Sequence, residues 1–156
     1  MSFAIEDVAQ HWDRTAISGY EEFNAKTVSY ERRFSDAIDM IQSTPEAQVP
    51  RSGCLIDVGC GTGNGLLIFH EEFGITGVGV DVSEGMLHIA RAKLAGRNLP
   101  IEIYRQDGEH LPFEDDSFDA GVNFEVLEHT PNPGQLLSEL ARVVKPGGIV
   151  SIMMWS

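Results

Sequence analysis

The residues best placed to hold a ligand lie between Leu55 and Gly65. Leu55-Ile56-Asp57-Val58 reads as the end of a buried strand, and Gly59-Cys60-Gly61-Thr62-Gly63-Asn64-Gly65 follows it directly. Glycine lacks the Cβ that keeps a ligand away from the backbone. A helix starting behind such a turn adds unpaired N–H groups and the positive end of its dipole. A polar ligand suits this combination. Spacing removes two of the usual candidates. Dinucleotide binding needs G-x-G-x-x-G, yet Gly59 and Gly61 are followed by Asn64, and Gly61 and Gly63 by Leu66. A triphosphate loop ends in Gly-Lys-Ser or Gly-Lys-Thr, and no lysine occurs between Lys26 and Lys93. A purely structural reading, in which the glycines only form a tight strand-to-helix turn, stays open at this point.

The pattern Asp57-x-Gly59-x-Gly61-x-Gly63 resembles the first motif of S-adenosylmethionine-dependent methyltransferases with a Rossmann-like fold. Later segments extend the resemblance: Gly77-Val78-Gly79-Val80-Asp81, Arg105-Gln106-Asp107-Gly108-Glu109, Leu127-Glu128-His129-Thr130-Pro131-Asn132-Pro133, and Leu140 to Gly148. Together they cover roughly Leu55 to Met154 and are similar to the small-molecule and quinone-biosynthesis branch, the type-11-like methyltransferases. His11-Trp12-Asp13 and Tyr20 also look like the start of such enzymes, where this segment folds over the cofactor.

The resemblance implies S-adenosylmethionine as cofactor, with S-adenosylhomocysteine as product. It implies a cofactor site built from Tyr20, Asp57, Gly59, Gly61, Gly63, Asp81, Val82, Met86, Asp107, Gly108, Glu109 and Asn123. Asp81, at the end of the second strand, would accept two hydrogen bonds from a ribose diol; the bland alternative is a helix-start acid, although Ser83 is better placed as the cap. Met86 would cover the adenine face or simply pack in the core. Asp107 would accept from the adenine amino group while the Gly108 N–H donates to a ring nitrogen; alone, Asp-Gly is an ordinary turn.

Methyl transfer from a sulfonium is an in-line displacement from an activated donor, so the protein mainly aligns the reactants and excludes water. Where the acceptor must lose a proton, His129 is the first candidate base, because imidazole exchanges protons near neutrality and its loop borders the acceptor side. The alternative for His129 is a structural role in its loop. Glu125 and Glu128 are weaker candidates, His11 is a candidate lid contact, and His70, His88 and His110 read as surface or packing residues. No metal site is expected: Cys54 and Cys60 are six positions apart and lack partners at zinc spacing, so both read as small buried residues without a disulfide.

Positioning these residues requires alternating elements. Ile5, Val8, Ala9 and Trp12, and then Phe34, Ile38 and Ile41, recur at helical spacing, so residues 1–48 read as a helical lid segment. Turn chemistry over Thr44 to Gly53 separates it from a core spanning 49–156. There, strands at 54–58, 76–81, 101–105, 118–124 and 149–154 alternate with helices at 66–73, 84–95 and 136–144, while 106–117 is too loop-like for a long helix. This predicts an α/β fold with a doubly wound, mainly parallel five-stranded sheet and helices on both faces. The family resemblance gives its order as 3-2-1-4-5.

Such methyltransferases continue past the fifth strand with a helix and an antiparallel hairpin, strands six and seven, which this sequence lacks. The fifth strand would then form an edge open to pairing with a second copy. Three explanations stand side by side: a fragment of a longer chain, a short form completed by a second copy, or a cofactor-binding module that no longer methylates.

Eleven Lys and Arg against twenty-four Asp and Glu give a net charge of −13, which repels nucleic-acid backbones and anionic lipid. No apolar run reaches the roughly 18 residues of a membrane span, and the first ten residues do not resemble a secretory signal. The expectation is a cytoplasmic enzyme with a small-molecule methyl acceptor. Its rivals are a non-catalytic binder of the same cofactor and an NAD-type oxidoreductase, the latter opposed by the glycine spacing.

Overall fold

Burial of short β-branched runs sets the centre of the molecule. The computed structural model describes residues 4–20, 22, 28–44, 49 and 52–154. Within them, β1 (Cys54–Val58), β2 (Thr76–Asp81), β3 (Ile101–Arg105), β4 (Phe118–Phe124) and β5 (Val144–Met153) form one sheet. Its order is β3-β2-β1-β4-β5, and every neighbouring pair is parallel. The expected fold class is therefore the one the chain adopts. The sequence changes direction between β1 and β4, and a crevice opens there beyond the carboxyl ends of the strands.

Two helices precede the sheet, α1 (Ile5–Ile17) and α2 (Val28–Ser43). Three serve as crossovers: α3 (Asn64–Phe73), α4 (Glu84–Leu94) and α5 (Pro133–Val143). Side chains alternate along β1. Ile56 and Val58 pack with Leu136, Leu140 and Val143 of α5. Leu55 packs on the opposite face with Ile41 of α2, Leu66 and Phe69 of α3, and Leu87 of α4. Both faces are covered, which is why the strands read as nearly continuous apolar runs. Leu66, Phe69, Leu87 and Leu140 are fully buried, each contributing about 1.5–3 kcal/mol.

Three element starts differ from the expectation. α3 begins two residues earlier, at Asn64, because Gly63 at φ 78° caps it in the left-handed region. α5 begins at Pro133 rather than Leu136: proline suits the first helical turn, and the Asn132 side chain accepts from the Gln135 N–H at 3.2 Å. β5 begins at Val144, opposite Phe118. Lys145 to Gly148 then bulge outward, so that the step from Val144 to Ile149 faces only the step from Phe118 to Ala120. Beyond the bulge, Val150, Ile152 and Met154 are exposed.

The connection 106–117 carries no helix, in line with its composition. Arg142 holds it in place by donating to the carbonyls of Leu111 (3.0 Å) and Phe113 (2.8 Å) and pairing with Glu139 at 2.8 Å. The expected boundary between residues 48 and 49 falls in a stretch where only residue 49 is described. No helix among the described residues is long and apolar enough to cross a membrane.

Candidate functional site

Parallel pairing brings the carboxyl ends of β1 and β2 level, with Val58 opposite Val80. The turn after β1 therefore lies beside the last residue of β2. Gly59 and Cys60 donate their N–H groups to the Val80 carbonyl at 2.8 and 3.0 Å. Gly59, Gly61 and Gly63 all adopt positive φ (82°, 52° and 78°), which glycine tolerates without cost from a Cβ.

The three glycines answer to different demands. A Cβ on Gly59 would lie 2.2 Å from Val126, and one on Gly63 would lie 3.2 Å from Ala90 in α4. Those two positions are small for packing reasons. A Cβ on Gly61 would meet nothing within 4 Å. Its backbone borders a cavity of about 310 Å³ formed by the glycine turn, the ends of β2 and β4, the loop after β3, and α1.

The carboxylate of Asp81 organises this corner. One oxygen accepts from the Gly61 N–H and the other from the Ser83 N–H, each at 2.9 Å. A carboxylate has about four acceptor positions, more than these backbone N–H groups and that of Val82 fill. Burial pushes Asp81 above the usual carboxylate range, and the hydrogen bonds from Ser83 and Gly61 oppose that push. Asp57 is also raised, to about 7, first by burial and then by the nearby Asp81 charge. A Cβ on Gly65 would approach the Asp57 carboxyl to 2.9 Å and Phe34 to 3.1 Å, so the start of α3 must be bare for Asp57 to fit. The Cys60 thiol is buried and held well above its ordinary range by burial and the two acids, which keeps it protonated.

Of the residues expected from sequence, the cavity wall contains Tyr20, Asp57, Gly59, Gly61, Asp81, Val82, Met86, Asp107, Gly108 and His129. Gly63, Glu109 and Asn123 lie outside it. Glu109 accepts from the Thr130 hydroxyl at 2.8 Å and the Asn132 N–H at 2.7 Å, tying the loop after β3 to the loop after β4. Asn123 is fully buried, and its amide donates to the Val58 carbonyl at 2.8 Å. These two act on the wall from behind. Asp107 accepts from the Glu109 N–H at 2.9 Å, and Gly108 sits where a Cβ would be 2.6 Å from Val58.

From α1, Ile5, Val8 and Trp12 line the cavity. Trp12 meets His129 edge to face, with ring centroids 5.1 Å apart, and Tyr20 at 5.9 Å. The sequence reading did not single out Phe34 or Thr62 as wall residues, whereas Phe124 belongs to the stretch from Asn123 to His129 that it placed facing the site. Phe34 and Phe124 contact each other across 5.9 Å, an apposition of α2 and β4 with no local signature. Thr62 lies within the motif at a position whose residue the pattern leaves unspecified; its hydroxyl is buried against the cavity with no partner among the described residues. Glu125 turns the chain out of β4 at φ 59°, a conformation uncommon for a side chain of its size. Among the described residues, no group of three or more His, Cys, Asp or Glu is placed to hold a metal ion.

Comparison with known proteins agrees with this architecture. Residues 56–152 match the family described as a methyltransferase domain. A demethylmenaquinone methyltransferase of Oceanobacillus iheyensis is 32% identical over 148 residues, covering 93% of this chain and 60% of that protein. A second, from Lactobacillus johnsonii, is 37% identical over 102 residues, 63% of this chain and 42% of its own length. Among solved structures, a Haemonchus contortus phosphoethanolamine N-methyltransferase 2 in complex with phosphomonomethylethanolamine and S-adenosylhomocysteine aligns with a TM-score of 0.70 and 26% identity, over 77% of this chain and 28% of that one. The chain spans about half the length of these two curated relatives.

Proposed function

Because this chain belongs to the methyltransferase-domain family, we propose that it binds S-adenosylmethionine in the cavity beyond β1 and β2 and transfers its methyl group to a small-molecule acceptor. The observation that carries the reading is the junction of Gly61 and Asp81. The one glycine of the turn whose Cβ would meet open space has its N–H fixed by the carboxylate at the end of β2.

The wall suits the nucleotide on several counts. Asp81 retains acceptor positions for a ribose diol. The Thr62 hydroxyl, without a partner among the described residues, is a buried polar atom that a ligand would satisfy. Met86 and Val82 offer apolar surface to the adenine, with Asp107 and Gly108 at its polar edge. Asp57, Asp81, Asp107 and Glu125 give the wall carboxyl groups that favour a cation.

When bound, S-adenosylmethionine supplies a methyl group on a positively charged sulfur, a donor that needs no further activation. The residues of this chain then orient, shield and accept a proton. Trp12, Phe34 and Phe124 exclude water and offer an apolar aromatic wall to an acceptor. His129 is the group assigned to take a proton from an acceptor that must lose one, with its ring steadied by Trp12. The described helices α1 and α2 serve as a lid over the core that follows. The names of the curated relatives support an acceptor of metabolite size.

Titrating S-adenosylmethionine, and separately S-adenosylhomocysteine, into the chain by calorimetry tests this reading. Saturation near one ligand per chain is expected. A folded chain that binds neither refutes the site. A chain that binds both but methylates no member of a phenol, quinol, amine and carboxylic-acid panel favours the non-catalytic alternative.

A further inference from the structure

α1 shows two stripes at helical spacing. Ile5, Val8 and Trp12 face the cavity, while Ala9, Asp13 and Ala16 lie on the neighbouring stripe. That second stripe meets the first turn of α4. A single oxygen of Asp13 accepts from the Ser83 hydroxyl at 2.7 Å and from the Gly85 N–H at 2.9 Å. Ser83 is fully buried and caps α4 by accepting from the Met86 N–H at 3.1 Å, so Asp13 completes a cap from 70 positions away in the chain. The helices touch nearly backbone to backbone. A Cβ on Gly85 would lie 3.2 Å from the Ala16 Cβ and 3.2 Å from the Asp13 Cα.

We propose that Asp13 is a positioning residue, a latch that fixes the rotation of α1 on α4 and thereby sets Trp12 against His129 over the cavity. The inference rests on the reading of that cavity as the nucleotide site. Its basis is a continuous hydrogen-bonded path. Asp13 binds Ser83, the Ser83 N–H binds Asp81, and Asp81 binds the Gly61 N–H of the glycine turn. The lid helix and the ligand-facing backbone thus share one polar chain. Neighbouring residues of a helix point about 100° apart, so a helix held in rotation at Asp13 also has Trp12 held in direction. Closure and ligand binding are then coupled, and each strengthens the other.

The test uses a Trp155→Phe background, in which Trp12 is the sole tryptophan. In the ligand-free chain, Asp13→Ala is expected to raise acrylamide quenching of Trp12 clearly above the parent. Loss of bonds to a charged group should also weaken S-adenosylhomocysteine binding by about tenfold or more. Asp13→Asn keeps an acceptor oxygen at the same place and is expected to restore most of both properties, whereas Asp13→Leu, similar in shape but without an acceptor, is expected to behave as Asp13→Ala, which a general packing role would not predict. A folded Asp13→Ala chain with parental quenching and parental affinity overturns the latch. Failure of the parent itself to bind S-adenosylhomocysteine overturns the nucleotide site instead, while quenching still reports on the latch.

Should Asp13→Ala fail to fold, the double variant Ala16→Cys, Gly85→Cys decides. Disulfides form at Cβ separations of about 3.5–4.5 Å, within a few tenths of an ångström of the observed approach. The oxidised chain is expected to exchange S-adenosylhomocysteine at least about tenfold more slowly, since opening would require breaking a covalent bond, with recovery on adding reductant. Failure to form the disulfide, or exchange at the reduced rate, overturns the proposal.

Discussion

Replacing Asp57 by asparagine should stabilise the protein above neutrality and remove a pH dependence that the wild type shows. Asp57 is fully buried on the end of β1, and its carboxyl is pushed from 3.8 to about 7 by burial and by Asp81. Between these two values the folded chain holds a proton that the unfolded chain has released. The folded state therefore binds more protons, and stability falls as pH rises through this window. Moving the carboxyl from 3.8 to about 7 amounts to roughly 4 kcal/mol in full, more than half of which is lost between about pH 5 and pH 7.5. The amide of Asp57→Asn has nearly the same shape and does not titrate. Urea denaturation of both chains across this range, with the variant subtracted from the wild type, cancels the contributions of groups that do not interact with Asp57, so the remaining difference belongs to Asp57 and its coupling to Asp81. Asp13, Asp119 and Glu139 are lowered, so their stabilising effects are lost only on further acidification. The difference should fall by about 2–3 kcal/mol as pH rises, with the variant the more stable chain at the upper end. A difference that is flat or rising refutes the argument. Because a cation favours ionised Asp57, S-adenosylmethionine affinity should rise through the same window in the wild type and lose that slope in the variant.

Gly61→Val should still fold, losing about 1–2 kcal/mol for a β-branched residue at φ 52°, while its side chain enters the cavity and abolishes S-adenosylhomocysteine binding in calorimetry. Gly59→Ala should instead lose about 2 kcal/mol or more in urea melts, because its methyl group would collide with Val126; melting close to wild type would contradict the described approach. Asp81→Asn presents one acceptor oxygen where Gly61 and Ser83 both donate, so binding should weaken by about 10- to 100-fold, and unchanged affinity would remove Asp81 from the site.

Much of the architecture is legible because its signals are local. β1 to β4 follow from apolar runs bounded by glycine and aspartate, and their limits agree with the sequence reading to the residue. Helix starts were less visible, since they depend on which residue caps: Asn132 and Gly63 extend α5 and α3 beyond their apolar stretches. Pro146-Gly147-Gly148 signals a break before β5, with Gly147 at φ 81°, but the register of the Lys145–Gly148 bulge depends on pairing with β4.

The site divides along the same line. The sequence by itself determined the glycine turn, the acids at the ends of β1 and β2, and the family, because these lie in short contiguous motifs whose spacing is fixed by backbone geometry. Only the tertiary structure decided that a Cβ on Gly61 would meet open space while one on Gly59 or Gly63 would meet Val126 or Ala90, and that Glu109 and Asn123 brace the wall from behind. It alone brought Phe34 to Phe124 and Asp13 to Ser83. The physical reason is range: a Cβ clash, a desolvated carboxyl or a hydrogen bond across 70 residues depends on neighbours that come together only when the sheet has formed.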